Sequence, residues 1–189
     1  SRKKEIETCL PRMYKAASQF TDYQLLVAGA PGIDPEFYLK VLKNEHVKLV
    51  FGQTYDILKH AQLAVVNSGT ATLETAILRT PQVVVYHLMA GYAAKIAMKL
   101  MLKIKHVSLV NLLTNKATVK ELIGADFSIE NLRAEINNIL LNKEYCKQML
   151  TDYDQIVAML GKSSCANHTA RKIVTFINEY AAKPNTVSR

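Results

Sequence analysis

Leu63-Ala64-Val65-Val66-Asn67-Ser68-Gly69-Thr70-Ala71-Thr72-Leu73-Glu74 is the stretch from which the rest of the chain can be read. Leu63 to Val66 are apolar and predict a buried strand. The polar turn Asn67-Ser68-Gly69-Thr70 follows at once, and Leu73, Ala76 and Ile77 then mark the apolar stripe of a helix. The first N–H groups of a helix have no internal partner and carry the positive end of its dipole, so this arrangement offers an anion site. Ser68 is a natural N-cap, and Gly69 lets a ligand approach the backbone closely. Glu74 lies one helical turn beyond Thr70 on the same face. The stretch is equally compatible with an ordinary capped helix of an α/β protein.

Outward from this unit the pattern alternates. Helices are predicted at Lys3–Ala17, Pro35–Lys43, Asp56–His60 and Thr70–Leu78. Strands are predicted at Gln24–Ala28, Val47–Phe51, Leu63–Val66 and Gln82–Tyr86, with a further short one at His106–Leu109. Short apolar runs separated by helical periods indicate parallel strands joined by crossover helices. After Thr118 the reading is helical: Val119–Ile123, Ile129–Leu141, Tyr145–Leu160 and His168–Tyr180, with Gly124 and Gly161 as stops. The expected fold is α/β, a Rossmann-like doubly wound parallel sheet over residues 1–125. Helices over 126–182 pack on it, and a frayed tail occupies 183–189. Ligands of such sheets sit beyond the carboxyl ends of the strands, where the turns after Val66 and Tyr86 and the stretch Ser108–Asn111 fall.

With 49% hydrophobic and 21% charged residues the chain is globular and not disordered. The net charge of +8 favours anionic partners without choosing among phosphates, nucleic acid and an acidic membrane surface. Against nucleic acid, the lysines are dispersed and no aromatic stacking motif is present. Cys9, Cys146 and Cys165 are odd in number and widely spaced, which fits a reducing compartment. Neither they nor His46, His60, His87, His106 and His168 show metal-ligand spacing. No signal peptide or membrane-spanning run is readable. A helical pattern that begins directly after Ser1-Arg2, with no lead-in, is expected of a fragment whose N-terminal domain is absent.

No Gly-x-Gly-x-x-Gly or Walker-type loop occurs, and Pro31 makes Ala28-Gly29-Ala30-Pro31-Gly32 a turn more than a phosphate cradle. Besides Ser68–Glu74, two features remain. Arg2 is a planar fork ahead of a helix, either a solvated terminal side chain or a grip for a diphosphate. Asn111 interrupts the apolar run Val107-Ser108-Leu109-Val110-Asn111-Leu112-Leu113, where an amide either satisfies local backbone groups or faces a ligand. Over Ala90–Lys105, Lys95, Lys99 and Lys103 recur beside Ile96, Leu100, Met101 and Ile104. That is the pattern of a membrane-surface helix or of a crossover helix with a solvated stripe.

Taken together these residues resemble the C-terminal half of lipid-A-disaccharide synthase, a glycosyltransferase of the GT-B type. The resemblance runs through Ser1-Arg2-Lys3-Lys4-Glu5-Ile6, similar to the end of that family's Gly-Ser-Arg loop. It continues through Ser68-Gly69-Thr70-Ala71-Thr72-Leu73-Glu74, Thr80-Pro81-Gln82-Val83-Val84-Val85-Tyr86, His106-Val107-Ser108-Leu109-Val110-Asn111-Leu112-Leu113 and Lys120-Glu121-Leu122-Ile123. Order and spacing agree over nearly the whole chain. The resemblance implies an inverting, metal-independent transferase without a cofactor. Its donor substrate is UDP-2,3-diacylglucosamine and its acceptor a lipid-linked glucosamine 1-phosphate; the products are the β-1,6 lipid A disaccharide and UDP. It implies that Arg2 and the N–H groups of Gly69, Thr70 and Ala71, with Ser68, hold the diphosphate. Glu74 takes the ribose hydroxyls, Asn111 is an essential site residue, and Ser108 and Glu121 are further binding candidates. It also implies a peripheral position at the cytoplasmic face of the bacterial inner membrane, on an anionic surface, and leaves a homodimer open.

The chain departs from the family pattern at Val110, where the family often has Pro, and at Gly124, where it often has Gln. The first change relaxes the turn before Asn111; the second removes a polar contact near the nucleotide. Alternative readings are another UDP-sugar transferase of the GT-B type, a UDP-sugar epimerase, or a non-catalytic nucleotide-binding module.

Overall fold

Val83, Val84 and Val85 are fully buried in succession, which a strand achieves only when both of its faces are covered. The computed structural model describes residues 3–43, 47–67, 69–87, 105–161 and 165–181. In chain order its elements are α1 (Lys3–Ala17), β1 (Leu26–Gly29), α2 (Pro35–Val41), β2 (Lys48–Phe51), α3 (Thr54–His60), β3 (Ala64–Val66), α4 (Gly69–Ile77) and β4 (Gln82–Tyr86). Then come α5 (Leu109–Thr114), β5 (Lys120–Ile123), a 3-10 turn (Gly124–Asp126), α6 (Ile129–Leu141), α7 (Lys143–Leu160) and α8 (Cys165–Ala181). All pairing among these strands is parallel, in two ladders: β1 with β2, and β3-β4-β5 with β4 central. This is the Rossmann-like α/β class expected from the alternation.

The chain divides into two compact units, residues 1–157 and 158–189. In the first, α4 packs on β3 and β4, α6 on β4 and β5, α1 on α6, and α5 on α4. The three valines of β4 meet Ala76 of α4, Ile136 of α6 and Tyr153 of α7 in the main core. Gln82, buried at the start of β4, ties the layers together. Its Nε2 donates to the Thr72 carbonyl at 2.9 Å and to the Tyr153 hydroxyl at 3.2 Å. Asp152, also buried, accepts from Lys116 Nζ at 2.6 Å, Gln148 Nε2 at 2.9 Å and Thr118 Oγ1 at 3.3 Å, fixing α7 to the segment before β5. A second core gathers Ile6 and Leu10 of α1 with Tyr38, Leu42 and the β1–β2 pair. In the second unit, α8 carries Ile173, Phe176, Ile177 and Tyr180 at helical spacing, with the Phe176 and Tyr180 rings stacked 6.2 Å apart.

Two expectations are corrected. His106–Leu109 is not a strand: Ser108 caps α5, its Oγ accepting from the Asn111 N–H at 3.3 Å. Val119–Ile123 is not a helix: Lys120–Ile123 is β5, in register with Val83–Tyr86. Runs of five residues do not separate helix from strand by period, and an open edge of β4 beside Val119 decides for the strand. Gly124 accordingly stops no helix but turns the chain after β5 with φ +59°, whereas Gly161, φ +74°, does follow a helix, α7.

Candidate functional site

Because β3, β4 and β5 run parallel and in register, the residues that follow them share one edge. After Val66 come Asn67 and the start of α4; after Tyr86 comes His87. Gly69 and Thr70, the first two residues of α4, are exposed and Ala71 is half-buried. Among the described residues, a Cβ built at Gly69 meets nothing within 4 Å. Thr72 and Thr75 turn their hydroxyls onto the Gly69 and Ala71 carbonyls, at 2.6 and 2.7 Å. The start of any helix carries the positive end of its dipole, and in α4 that end follows directly on β3. Glu74 is half-buried one turn further along α4. Arg2, Ser68 and nearly all of the basic segment Ala90–Lys105 lie outside the described residues.

The other three predicted residues come together, in a way the sequence did not suggest. Glu121 reaches from β5 to the start of α5. Its Oε1 accepts from the Ser108 N–H at 2.8 Å, Ser108 Oγ at 2.7 Å, Asn111 Nδ2 at 2.9 Å and the Val107 N–H at 3.1 Å; its Oε2 accepts from the same Val107 N–H at 3.0 Å. Asn111, only 1% exposed, also donates to the Val119 carbonyl at 2.8 Å and accepts from the Val119 N–H at 2.9 Å. Both of its N–H donors are thus used inside the protein. In this arrangement the three side chains hold the β5–α5 corner in shape.

Sequence reasoning named Cys9 and Asn67 but did not bring them together. Cys9, on α1, is buried against the strand ends. Burial pushes its thiol pKa up, opposed by hydrogen bonds from the His87 backbone and the Asn67 side chain. It shares the inward stripe of α1 with Ile6, Leu10 and Met13, so an apolar face was readable but its meeting with Asn67 was not. Tyr86, at the end of β4, has its hydroxyl pKa raised by burial and by the Glu121 carboxylate. Among the described residues no His, Cys, Asp and Glu side chains gather in a group able to hold a metal ion, and no helix is long and apolar enough to cross a membrane.

The parallel ladders and the helices packed on them define a Rossmann-like α/β domain, with the start of α4 at the carboxyl edge of β3-β4-β5, the edge at which sheets of this class bind ligands. Comparison with known proteins narrows the class. The family model described as lipid-A-disaccharide synthetase matches residues 1–174, and the chain belongs to that family. A lipid-A-disaccharide synthase of Anaeromyxobacter sp. (strain K) is 32% identical over 181 residues, 92% of this chain and 47% of the relative. That of Syntrophus aciditrophicus (strain SB) is 34% identical over 187 residues, 95% of this chain and 48% of the relative. Lipid-A-disaccharide synthase 1 of Legionella pneumophila is 28% identical over 169 residues, with 86% and 44% covered. The chain therefore spans about half the length of the curated relatives it matches.

Proposed function

We propose that this chain is the nucleotide-holding half of a glycosyltransferase. The reaction moves 2,3-diacylglucosamine from UDP to a lipid-linked glucosamine 1-phosphate, giving the β-1,6 disaccharide and UDP. The observation that carries this reading is the uncovered start of α4 directly after β3, in a chain of this family. Departure of UDP loads negative charge on the β-phosphate. The N–H groups of Gly69, Thr70 and Ala71 and the dipole of α4 stabilise that charge, with Ser68 and Arg2 adding a hydroxyl and a two-pronged cation. Glu74, one turn along, accepts from the ribose hydroxyls.

Ser108, Asn111 and Glu121 act as positioning residues in this reading. They set the corner beside the strand ends, and Asn111 works through Val119 and Glu121 instead of touching the donor. The acceptor site and the general base belong to the half of the relatives' length that this chain does not span. Acylated substrates and a net charge of +8 support a peripheral position on an anionic membrane surface.

Calorimetric titration of the chain with UDP tests the assignment. Glu74→Ala is expected to weaken binding by about 1–3 kcal/mol, and Arg2→Ala to weaken it as well. Unchanged affinity in both variants would remove the site from the start of α4. A folded chain that binds no UDP, matched by a complete protein that also binds none, would overturn the nucleotide reading.

A further inference from the structure

At the edge of the sheet opposite the start of α4 lies a second, unassigned feature. It is a groove of about 370 Å³ where α6 ends and α7 begins. Tyr23, Gln62 and Arg79, which precede β1, β3 and β4, form its sheet side. Ile139, Leu140 and Leu150 give it an apolar floor. Lys143, Cys146, Lys147, Leu150 and Thr151 reach it from α7 at spacings of three and four, the signature of a single helix face.

The chemistry of the lining is one-sided. Arg79, Lys143 and Lys147 supply three cations, and no carboxylate lines the groove. Lys143 and Lys147 stand one turn apart, a like-charge pairing that a helix tolerates at a cost and that a bound anion relieves. Arg79, held at the rim with φ +61°, is ion-paired with Asp154. Both partners are about half exposed, so the pair is weak and leaves guanidinium donors for a ligand. Cations around an apolar floor fit a molecule with an anionic head and a hydrocarbon tail. The concave shape, within the size range of small-molecule sites, fits one chain and not a flat bilayer.

We propose that this groove binds a free single-chain alkyl phosphate, its head among Arg79, Lys143 and Lys147 and its tail along Ile139, Leu140 and Leu150. The site is separate from the α4 edge and does not rest on the nucleotide reading.

Cys146, half-buried in the lining, provides the reporter. Its alkylation by N-ethylmaleimide is followed in a Cys165→Ser chain, with Cys9 buried. Monomeric dodecyl phosphate at about ten times its dissociation constant is expected to slow labelling about tenfold. Dodecyl maltoside and inorganic phosphate are expected to leave the rate unchanged, and the exposed-residue variant Lys143→Gln/Lys147→Gln is expected to abolish protection while keeping its circular dichroism. No protection by dodecyl phosphate overturns the proposal. So does equal protection by dodecyl maltoside, which would make the groove merely apolar, or by inorganic phosphate, which would make it a plain anion site. Protection by phosphatidylglycerol vesicles but not by the monomer would make it a membrane contact and overturn it too.

Discussion

The carboxamide of Asn111 and the main chain of Val119 exchange two hydrogen bonds, at 2.8 and 2.9 Å, as a strand neighbour would. Val119 is fully buried, so no water replaces a lost partner. Asn111→Ala is expected to lower stability by about 2–4 kcal/mol, from two stranded backbone groups and one lost donor to Glu121. Urea unfolding measures it. A loss below about 0.5 kcal/mol would mean that the corner does not depend on this amide.

Gly69 separates binding from stability. No described residue stands within 4 Å of its Cβ position, and its φ is not positive, so Gly69→Ala is expected to leave the melting temperature equal or slightly raised. If the proposed diphosphate site is at this backbone, the added methyl crowds it, and UDP affinity is expected to fall about tenfold in calorimetry. Undiminished affinity would show that the ligand does not approach this backbone.

Gly29 behaves in the opposite manner. A Cβ there would overlap the ring of Phe51, which crosses the end of β1 from β2. Gly29→Ala is expected to cost about 1–3 kcal/mol in denaturant unfolding. Combination with Phe51→Leu is expected to recover part of that loss, a coupling that a double-mutant cycle reads directly.

Glu135 makes stability depend on pH. Burial raises its pKa, against the lowering effects of the Tyr145 hydroxyl, which donates to Oε1 at 2.7 Å, and of Lys120. A raised folded pKa means that the native state binds the proton more tightly than the unfolded chain. The contribution is complete below the unfolded value of about 4.3 and is lost as pH rises through the folded one. Glu135→Gln, which keeps an acceptor for Tyr145, is therefore expected to gain stability relative to the parent between pH 4 and pH 7. Urea midpoints at both pH values check this, and a gain in the reverse direction would refute it.

Much of this was legible from spacing alone. The bounds of α1, β4 and α6 coincide with the sequence pattern, because each has a complete period or an uninterrupted valine run to mark it. The region from His106 to Gly124 was not legible. Ser108 reads as strand until its hydroxyl is seen to cap α5, and Lys120–Ile123 reads as helix until β4 presents it an unpaired edge. The start of α4 was recognisable because strand, turn and helix are contiguous there. The clamp of Glu121 on Ser108 and Asn111 joins residues 10 and 13 positions apart across a fold boundary, which no local pattern encodes.

Among the described elements α1 alone places buried side chains in both cores: Ile6 and Leu10 in one, Cys9 and Ala16 in the other. The consequence concerns the order of assembly on the ribosome. The smaller core is complete in the chain once Phe51 has emerged, whereas the larger waits for Ile156. During vectorial synthesis the Ile6–Leu10 flank of α1 can thus find all its partners early, whereas the core that takes Cys9 and Ala16 fills in steps, from β4 to α6 and α7. Over that interval α1 is half-committed, and its second flank is a surface a nascent-chain chaperone would meet.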